Sequence, residues 1–214
     1  MNSLNCLHWW HEVFVSAVIL AAGKSTRFPT NKLLYEVTVD GIRKPLIRHT
    51  VSRFVESGVF NEVLVVLGFQ ADLVREVLKG LNLRFVINED YELGMSSSVI
   101  RGVKAVSSEA DLVAIHPGDV PYIKVMTIRT LVYHARELLK SSNAFILVPR
   151  LSSSMRGGHP LIIGRGLLEE VYRISEAELG LKGFLKRNAD KIRYYDIDDA
   201  GILKDIDTLE DLKR

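Results

Sequence analysis

The fold follows from one stretch of sequence, Val13-Phe14-Val15-Ser16-Ala17-Val18-Ile19-Leu20-Ala21-Ala22-Gly23-Lys24-Ser25-Thr26-Arg27. It begins as an apolar run of strand-forming residues, breaks at Ala-Ala-Gly and then becomes polar and basic. Because the run does not alternate with polar residues, it predicts a strand over 15–21 that is buried on both faces. A buried strand that ends in a small-residue loop with Lys and Arg is how an α/β sheet presents an anion site at its carboxyl edge.

The composition bounds the class of protein. The chain has 214 residues, of which 47% are hydrophobic and 25% charged, so it can bury a core and is not disordered. The net charge of +2 argues against a nucleic-acid binder, which needs many phosphate contacts. The single Cys6 excludes a disulfide framework and a cysteine-rich zinc site. We expect an N-terminal extension over residues 1–13 and one domain over residues 14–214.

The ends of the chain carry no predicted membrane or export signal. No apolar run approaches the roughly 20 residues that span a bilayer. The first residues lack a basic segment and are interrupted by His8, His11 and Glu12, so no signal peptide is expected. We therefore expect a cytoplasmic protein with no membrane partner. Its extension is expected to pack on the domain or on another protein, and the alternative is a role as a lid or in contacting a ligand.

Strand and helix patterns alternate with short links, which predicts right-handed crossovers and a mostly parallel sheet of the α/β class. The predicted strands are 15–21, 33–39, 62–67, 83–87, 111–116, 144–149, 159–163 and 192–197. The strand over 33–39 is expected to form a hairpin, through a turn at Asp40-Gly41, with the segment that begins at residue 42. The predicted helices are 45–57, 71–79, 99–106, 125–139, 167–174, 179–186 and 208–213. Residues 94–98 and 151–158 are predicted loops, and the second is a candidate mobile lid.

The loop after the first strand could hold phosphate groups. Gly23-Lys24-Ser25-Thr26 is not a P-loop, because Val18 stands where that motif needs a glycine and the residues between are strand. The dinucleotide motif Gly-x-Gly-x-x-Gly is also absent. What remains is a small-residue turn followed by three cations, Lys24, Arg27 and Lys32. The alternative is a tight turn with a solvated basic face.

Carboxylates at two places could hold a metal ion. Asp119 directly follows a buried strand within Gly118-Asp119-Val120-Pro121, where Mg²⁺ would bridge a carboxylate to phosphate oxygens. The alternative is that Asp119 caps a helix that begins near Ile123. Asp205 and Asp207 point to opposite faces if their segment is extended. One could face the metal while the other caps the last helix, or both could be surface caps.

Two further segments have functional and structural interpretations. Residues 94–98, Gly-Met-Ser-Ser-Ser, could use N–H and hydroxyl groups to read a base or bind phosphate, or could cap a helix. Asn88 suits either role. His159, within Gly-Gly-His-Pro, could be structural or could bind a phosphate of a second substrate when protonated.

Together these pieces resemble a known family. Leu20-Ala21-Ala22-Gly23-x-Ser25-x-Arg27-Phe28-x-x-x-Lys32-Leu33 is similar to the signature of molybdopterin guanylyl- and cytidylyltransferases, including molybdopterin-guanine dinucleotide synthase-like nucleotidyltransferases. Further landmarks follow in the same order: Asn88 through Gly94-Met95-Ser96-Ser97-Ser98, Gly118-Asp119-Val120-Pro121, Gly158-His159-Pro160 and Asp205-Ile206-Asp207-Thr208-x-Glu210-Asp211-Leu212. Ala-Ala-Gly, Gly-Met-Ser-Ser-Ser and Gly-His-Pro are most similar to molybdenum cofactor cytidylyltransferases. The chain departs from the family at Pro29, where Gly is usual, and at Leu209, where Pro is usual.

The resemblance implies a Rossmann-like nucleotide-diphosphosugar transferase fold, three-layered around a twisted, mostly parallel sheet. It also implies transfer of CMP from CTP to the phosphate of molybdopterin, with Mg²⁺ as cofactor and pyrophosphate as product. The residues expected to bind the nucleotide are Leu20, Ala21, Ala22, Gly23, Lys24, Ser25, Arg27, Lys32, Asn88, Gly94, Met95, Ser96 and Ser97. The residues expected to act in catalysis are Arg27, Lys32 and Asp119. The expected metal ligands are Asp119, Asp205 and Asp207. Gly158 and His159 are expected to contact the acceptor.

Other functions stay open at this stage. The same reaction class could use GTP, or a sugar-1-phosphate as acceptor. A non-catalytic nucleotide-binding module is a further alternative, and the joint presence of Arg27, Lys32 and Asp119 argues against it. The sequence leaves the oligomeric state open, including a homodimer and a contact with a molybdoenzyme or its chaperone.

Overall fold

A computed structural model describes residues 13–26, 28, 30–208 and 210–211. The strands are β1 Val15–Ala21, β2 Glu36–Val39, β3 Ile42–Pro45, β4 Glu62–Leu67, β5 Arg84–Ile87, β6 Leu112–Pro117, β7 Ile146–Leu151, β8 Arg156–Gly157, β9 Leu161–Gly164 and β10 Ile192–Ile197. The α-helices are α1 Leu46–Ser57, α2 Ala71–Val77, α3 Met95–Ala105, α4 Val125–Leu139, α5 Leu168–Val171 and α6 Gly180–Arg187.

The main sheet has the order β10-β7-β9-β6-β1-β4-β5, and β8 pairs with β7. β1 lies at its centre and pairs in parallel with β4 and with β6. β9 is antiparallel to both of its neighbours, so the sheet is mixed but mostly parallel. Because β9 runs in reverse, the residues just before it lie at the same edge as the residues that follow β1 and β6.

The side chains of β1 explain its central position. Ala17, Ile19 and Ala21 pack into a core on one face with α1 and α2, and Val18 packs on the other face with α3, α5 and α6. α4 covers the first face beside β6 and β7. The sheet therefore lies between two layers of helices, as predicted. No helix in the described part of the chain is long and apolar enough to cross a membrane.

Most predicted elements are confirmed. The strands over 15–21, 62–67 and 192–197 and the helix over 125–139 have the predicted bounds. The β2–β3 turn has positive φ at Asp40 and Gly41, as a type I′ turn requires. The predicted extension over residues 1–13 lies almost wholly outside the described residues.

One predicted loop is wrong. Residues 94–98 were expected to precede a helix over 99–106, but α3 already begins at Met95 and ends at Ala105. Gly94, which directly precedes the helix, has a φ of 104°, a conformation that residues with a side chain disfavour. Serine favours loops and helix caps, yet Ser97 and Ser98 lie in the first turn of this helix. Their hydroxyls accept hydrogen bonds from the Asn88 side chain, which precedes the helix.

The segment over 151–158 is also more ordered than expected. It forms a hairpin in which β7 pairs with β8, and Met155 N–H donates to the carbonyl of Leu151 at 2.8 Å. Smaller differences concern element ends: α2 stops at Val77, and the helix expected over 167–174 is a 3₁₀ turn followed by α5. The helix expected over 208–213 lies partly outside the described residues.

The packing of α3 on the sheet yields a stability prediction. A Cβ at Gly102 would lie 2.4 Å from Cγ1 of Val18 and 2.8 Å from Cγ2 of Val66. Gly102→Val should therefore lower the free energy of unfolding by about 2–3 kcal/mol, as overpacked cores do. Urea unfolding of this variant and of Lys104→Val, an exposed position on the same helix, measures the effect. Equal losses in both variants would show that α3 does not pack closely at Gly102.

Candidate functional site

A cleft of about 410 Å³ opens at the carboxyl edge of the parallel strands. It lies where β1 and β6 end side by side, with Leu20 opposite Pro117 in register. Its lining residues are Leu20, Ala21, Ala22, Gly23, Lys24, Ser25, Thr26, Phe28, Lys32, Leu33, Tyr91, Gly94, Met95, Ser98, Pro117, Asp119 and Asp207. The predicted loop after β1 is therefore one wall of a real concavity.

Backbone contacts hold this wall close to the neighbouring strand ends. The carbonyl of Ala22 accepts a hydrogen bond from Phe69 N–H at 3.0 Å, and Phe28 N–H donates to Ser25 at 2.8 Å. Ser25 has a φ of 53°. Gly118 N–H donates to the carbonyl of Leu20 at 2.8 Å, and a Cβ on Gly118 would lie 2.7 Å from that same oxygen. Gly118 thus allows the chain after β6 to approach β1.

Lys32 is the centre of the charged part of the cleft. Its Nζ lies 2.6 Å from Asp119 Oδ2 and 3.0 Å from Asp207 Oδ1. Nζ also donates to the carbonyl of Ile206 at 2.9 Å. Burial alone would lower the pKa of Lys32, but the charge of Asp119 and the hydrogen bonds to both carboxylates raise the pKa above 10.5. The ammonium is therefore charged at neutral pH.

Asp119 and Asp207 meet here although they are far apart in sequence. Ile206 N–H donates to the backbone carbonyl of Asp119 at 3.0 Å, which fixes the C-terminal segment beside the end of β6. Asp119 is not a helix cap, because α4 begins at Val125 and Asp199 accepts the hydrogen bond of Lys124 N–H. Its carboxylate faces Lys32 instead.

The same place has the donors that a hard divalent cation prefers. Two carboxylates and one carbonyl, all oxygen, surround a single point that the Lys32 ammonium now occupies. Partial desolvation, together with the negative charges of Asp207 and Asp119, raises the pKa of Asp205. The described residues contain no group of three or more His, Cys, Asp or Glu arranged around a metal. The donor set fits Mg²⁺, which keeps several water or phosphate ligands.

Lys24 lies across the mouth of the cleft from these groups. Its Nζ forms an ion pair with the exposed carboxylate of Glu92 and lies 5.9 Å from the centre of the Tyr91 ring. A hydrogen bond and the charge of Glu92 raise the pKa of Lys24. Lys24 is therefore a cation that another side chain already neutralises.

The amino end of α3 forms the opposite wall. Gly94 and Met95 line the cleft, whereas Asn88, Ser96 and Ser97 are not among the lining residues. The Asn88 amide, which is 3% exposed, donates to the hydroxyls of Ser97 and Ser98 at 2.9 and 3.0 Å. Asn88 thus ties β5 to α3, which is a structural role, and does not face the cleft.

His159 reaches this edge of the sheet because it precedes the reversed strand β9. Its ring lies edge-on to the buried ring of His116, with centroids 6.2 Å apart, and its Nδ1 is buried without a hydrogen-bond partner in the described structure. Burial lowers the pKa of His159, although the charge of Asp119 raises it in part. Burial lowers the pKa of His116 to about 3. The expected protonated form of His159 is therefore disfavoured, and the ring is a neutral donor or acceptor.

The structure brings most of the predicted site together and adds residues that the sequence did not indicate. Arg27 and Pro29 lie outside the described residues. Gly158 is buried, and a Cβ on it would lie 2.4 Å from the carbonyl oxygen of Ile202. The lining residues to which the sequence assigned no role are Thr26, Phe28, Leu33, Tyr91 and Pro117. Tyr91 had a usable signal, because it follows β5 at the same carboxyl edge.

Comparison with known proteins agrees with this geometry. Residues 17–192 match the MobA-like NTP transferase domain family. Nicotine blue oxidoreductase of Paenarthrobacter nicotinovorans is 30% identical over 206 residues, which are 94% of this chain and 95% of that protein. Bifunctional protein GlmU of Syntrophomonas wolfei subsp. wolfei is 32% identical over 133 residues, 62% of this chain and 28% of that protein. The chain spans about a quarter of the length of the GlmU proteins it matches.

Solved structures share the fold over nearly the whole chain. An rv0371c homolog from Mycobacterium sp. strain JC1 is 28% identical with a TM-score of 0.76, covering 94% of this chain and 93% of that one. A nucleotidyl transferase from Methanothermobacter thermautotroptrophicus is 25% identical with a TM-score of 0.73, covering 92% and 94%. Rv0371c of Mycobacterium tuberculosis H37Rv in complex with manganese is 23% identical with a TM-score of 0.73, covering 94% and 97%.

These likenesses confirm the predicted α/β nucleotidyltransferase fold. The family match covers most of the chain, including β1, the loop after it and Asp119. The chain therefore belongs to the family of MobA-like NTP transferase domains.

Proposed function

We propose that the chain transfers a nucleotidyl group, CMP from CTP, to the terminal phosphate of molybdopterin and releases pyrophosphate, with Mg²⁺ bound. The observation that carries the reaction class is the Lys32 ammonium between Asp119 and Asp207, at the edge of a cleft walled by the Ala21–Ser25 loop. CTP and molybdopterin come from the resemblance of Ala-Ala-Gly, Gly-Met-Ser-Ser-Ser and Gly-His-Pro to the cytidylyltransferases.

The reaction is an in-line displacement. An oxygen of the acceptor phosphate attacks the α-phosphorus of the triphosphate, a new P–O bond forms, and the bond to the β-phosphate oxygen breaks with its electron pair going to pyrophosphate. The acceptor phosphate is already ionised at neutral pH, so no general base is needed. Catalysis then depends on positioning and on neutralising charge.

Each part of the cleft has a role in this proposal. Lys24 and Lys32, with Arg27, hold the triphosphate and stabilise the leaving pyrophosphate. Asp119 and Asp207 would hold the divalent cation, with Asp205 nearby. When bound, the cation supplies charge neutralisation on the phosphate oxygens. Gly94 and Met95 would contact the base of the nucleotide, and His159 would offer a neutral N–H to the acceptor.

Alternatives keep or change the reaction class. GTP with molybdopterin, or a sugar-1-phosphate acceptor, uses the same displacement, and a non-catalytic nucleotide-binding module would bind without turnover. The Paenarthrobacter nicotinovorans relative, which matches nearly the full chain, is named an oxidoreductase, so an oxidoreductase activity is a second candidate.

The reaction class is tested by acceptor-dependent pyrophosphate release with CTP, GTP, UTP and ATP. We expect release with CTP and molybdopterin, and Asp119→Asn should reduce it at least about 100-fold, because a charged metal and lysine partner is lost. Asp198→Asn, an exposed carboxylate outside the cleft lining, is the control. Absence of release with every nucleotide contradicts the proposal, and full activity of Asp119→Asn places the metal elsewhere.

The variant Lys32→Met tests the role of the lysine separately from the role of the metal ligands. Because the Lys32 ammonium occupies the point between the carboxylates, its removal should tighten binding of Mn²⁺ alone by about threefold or more, since the competing cation is gone. The same variant should bind CTP more weakly in calorimetry. Lys204→Met, an exposed lysine of the same C-terminal segment, should change neither affinity. Weaker Mn²⁺ binding by Lys32→Met would contradict the assigned metal site.

Glu92 competes with the triphosphate for Lys24. Glu92→Gln should raise the affinity for CTP about two- to fivefold at low salt, and the gain should disappear at high salt because an exposed pair is screened. Titration calorimetry at two salt concentrations measures it, with Glu89→Gln, an exposed neighbour, as the control. An unchanged affinity would show that Lys24 does not contact the phosphates.

A further inference from the structure

Glu176 reaches the amino end of α3 from a distant part of the chain. It begins a 3₁₀ turn, Glu176–Glu178, that lies between α5 and α6. Its Oε1 accepts a hydrogen bond from Ser96 N–H at 2.6 Å. A Cβ at Gly94 would lie 2.6 Å from the Glu176 side chain. The carboxylate therefore fills the space beside the first residues of the helix.

This space is where an anion would otherwise bind. The first N–H groups of a helix have no partner within it and carry partial positive charge, so helix amino ends attract phosphates. The first turn of α3 contains no acidic residue of its own. Glu176 supplies that negative charge from outside, and a phosphate placed there would meet a carboxylate.

The turn that carries Glu176 is fitted against α3. Leu179 and Gly180 have consecutive φ values of 63° and 54°, which reverse the chain before α6. A Cβ on Gly180 would lie 2.8 Å from Ser96 Oγ, and that hydroxyl is buried without a hydrogen-bond partner in the described structure. The turn that carries Glu176 thus packs closely against the start of α3.

The cleft is consequently polarised. Lys32 lies between Asp119 and Asp207 on one side of the cleft, while Gly94 and Met95, with Glu176 behind them, lie on the side where Lys24 pairs with Glu92. We propose that Glu176 is a positioning residue that orients the nucleotide. It closes the amino end of α3 to phosphates, so the triphosphate is directed toward Lys32 and the base to Gly94 and Met95. This inference rests on the proposed nucleotidyltransferase function.

Two variants separate the charge of Glu176 from its hydrogen bond. Glu176→Gln keeps an acceptor for Ser96 N–H and removes the charge, and Glu176→Ala removes both. Glu178→Gln is the matched control, because Glu178 is in the same turn but pairs with Arg187. The first probe is inorganic tripolyphosphate, which has no base. We expect Glu176→Gln to bind it about three- to tenfold more tightly than wild type or Glu178→Gln in calorimetry.

Kinetics with CTP distinguish orientation from general damage. A nucleotide bound in reverse is unproductive, so Glu176→Gln should lower kcat and KM together and leave kcat/KM unchanged. Glu176→Ala should lower kcat/KM, because the wall at Gly94 also loses its support. A fall in kcat/KM of Glu176→Gln, or tripolyphosphate affinity equal to wild type, overturns the proposal. Failure of the wild type to release pyrophosphate refutes the proposed function instead, and the tripolyphosphate titration still tests Glu176.

Discussion

The site depends on the ion pairs between Lys32 and two carboxylates. Lys32 follows β1, Asp119 follows β6, and Asp207 is in the C-terminal segment, so three parts of the chain meet at one ammonium. Two like charges in a half-buried place repel each other unless a cation lies between them. The Lys32 ammonium supplies that cation.

The mostly parallel sheet makes this convergence possible. β1 lies between β4 and β6 in parallel register, so the loops after all three strands open at one edge. The single reversed long strand, β9, adds its preceding residues to that same edge and brings His159 beside His116. The cleft, in which Lys32 lies between two carboxylates, results from strand order and direction, because residues from several separate loops form it.

Much of the fold could be predicted from local pattern. β1 and β4 are nearly continuous apolar runs and α4 has strong helical periodicity, and the ends of all three match the expected ones. The start of α3 was missed because Gly and Ser favour loops locally, while tertiary contacts from Asn88 and Glu176 hold them in a helix. In the site, Lys32 and Asp119 were found by their place after buried strands. Tyr91 was missed although it follows β5 at the same edge of the sheet. Glu176 was missed because it lies far along the chain from α3, which it contacts.

The sequence by itself determined the elements and their alternation, since periodicity and turn chemistry act over a few residues. It also determined which strand ends would carry charge. Only the tertiary structure decided which charges pair: Lys32 with Asp207 across 175 positions, Lys24 with Glu92, and Ser96 with Glu176. The physical reason is that ion pairs and caps depend on distances of a few ångströms, which strand order and the reversal of β9 set and which no local pattern encodes.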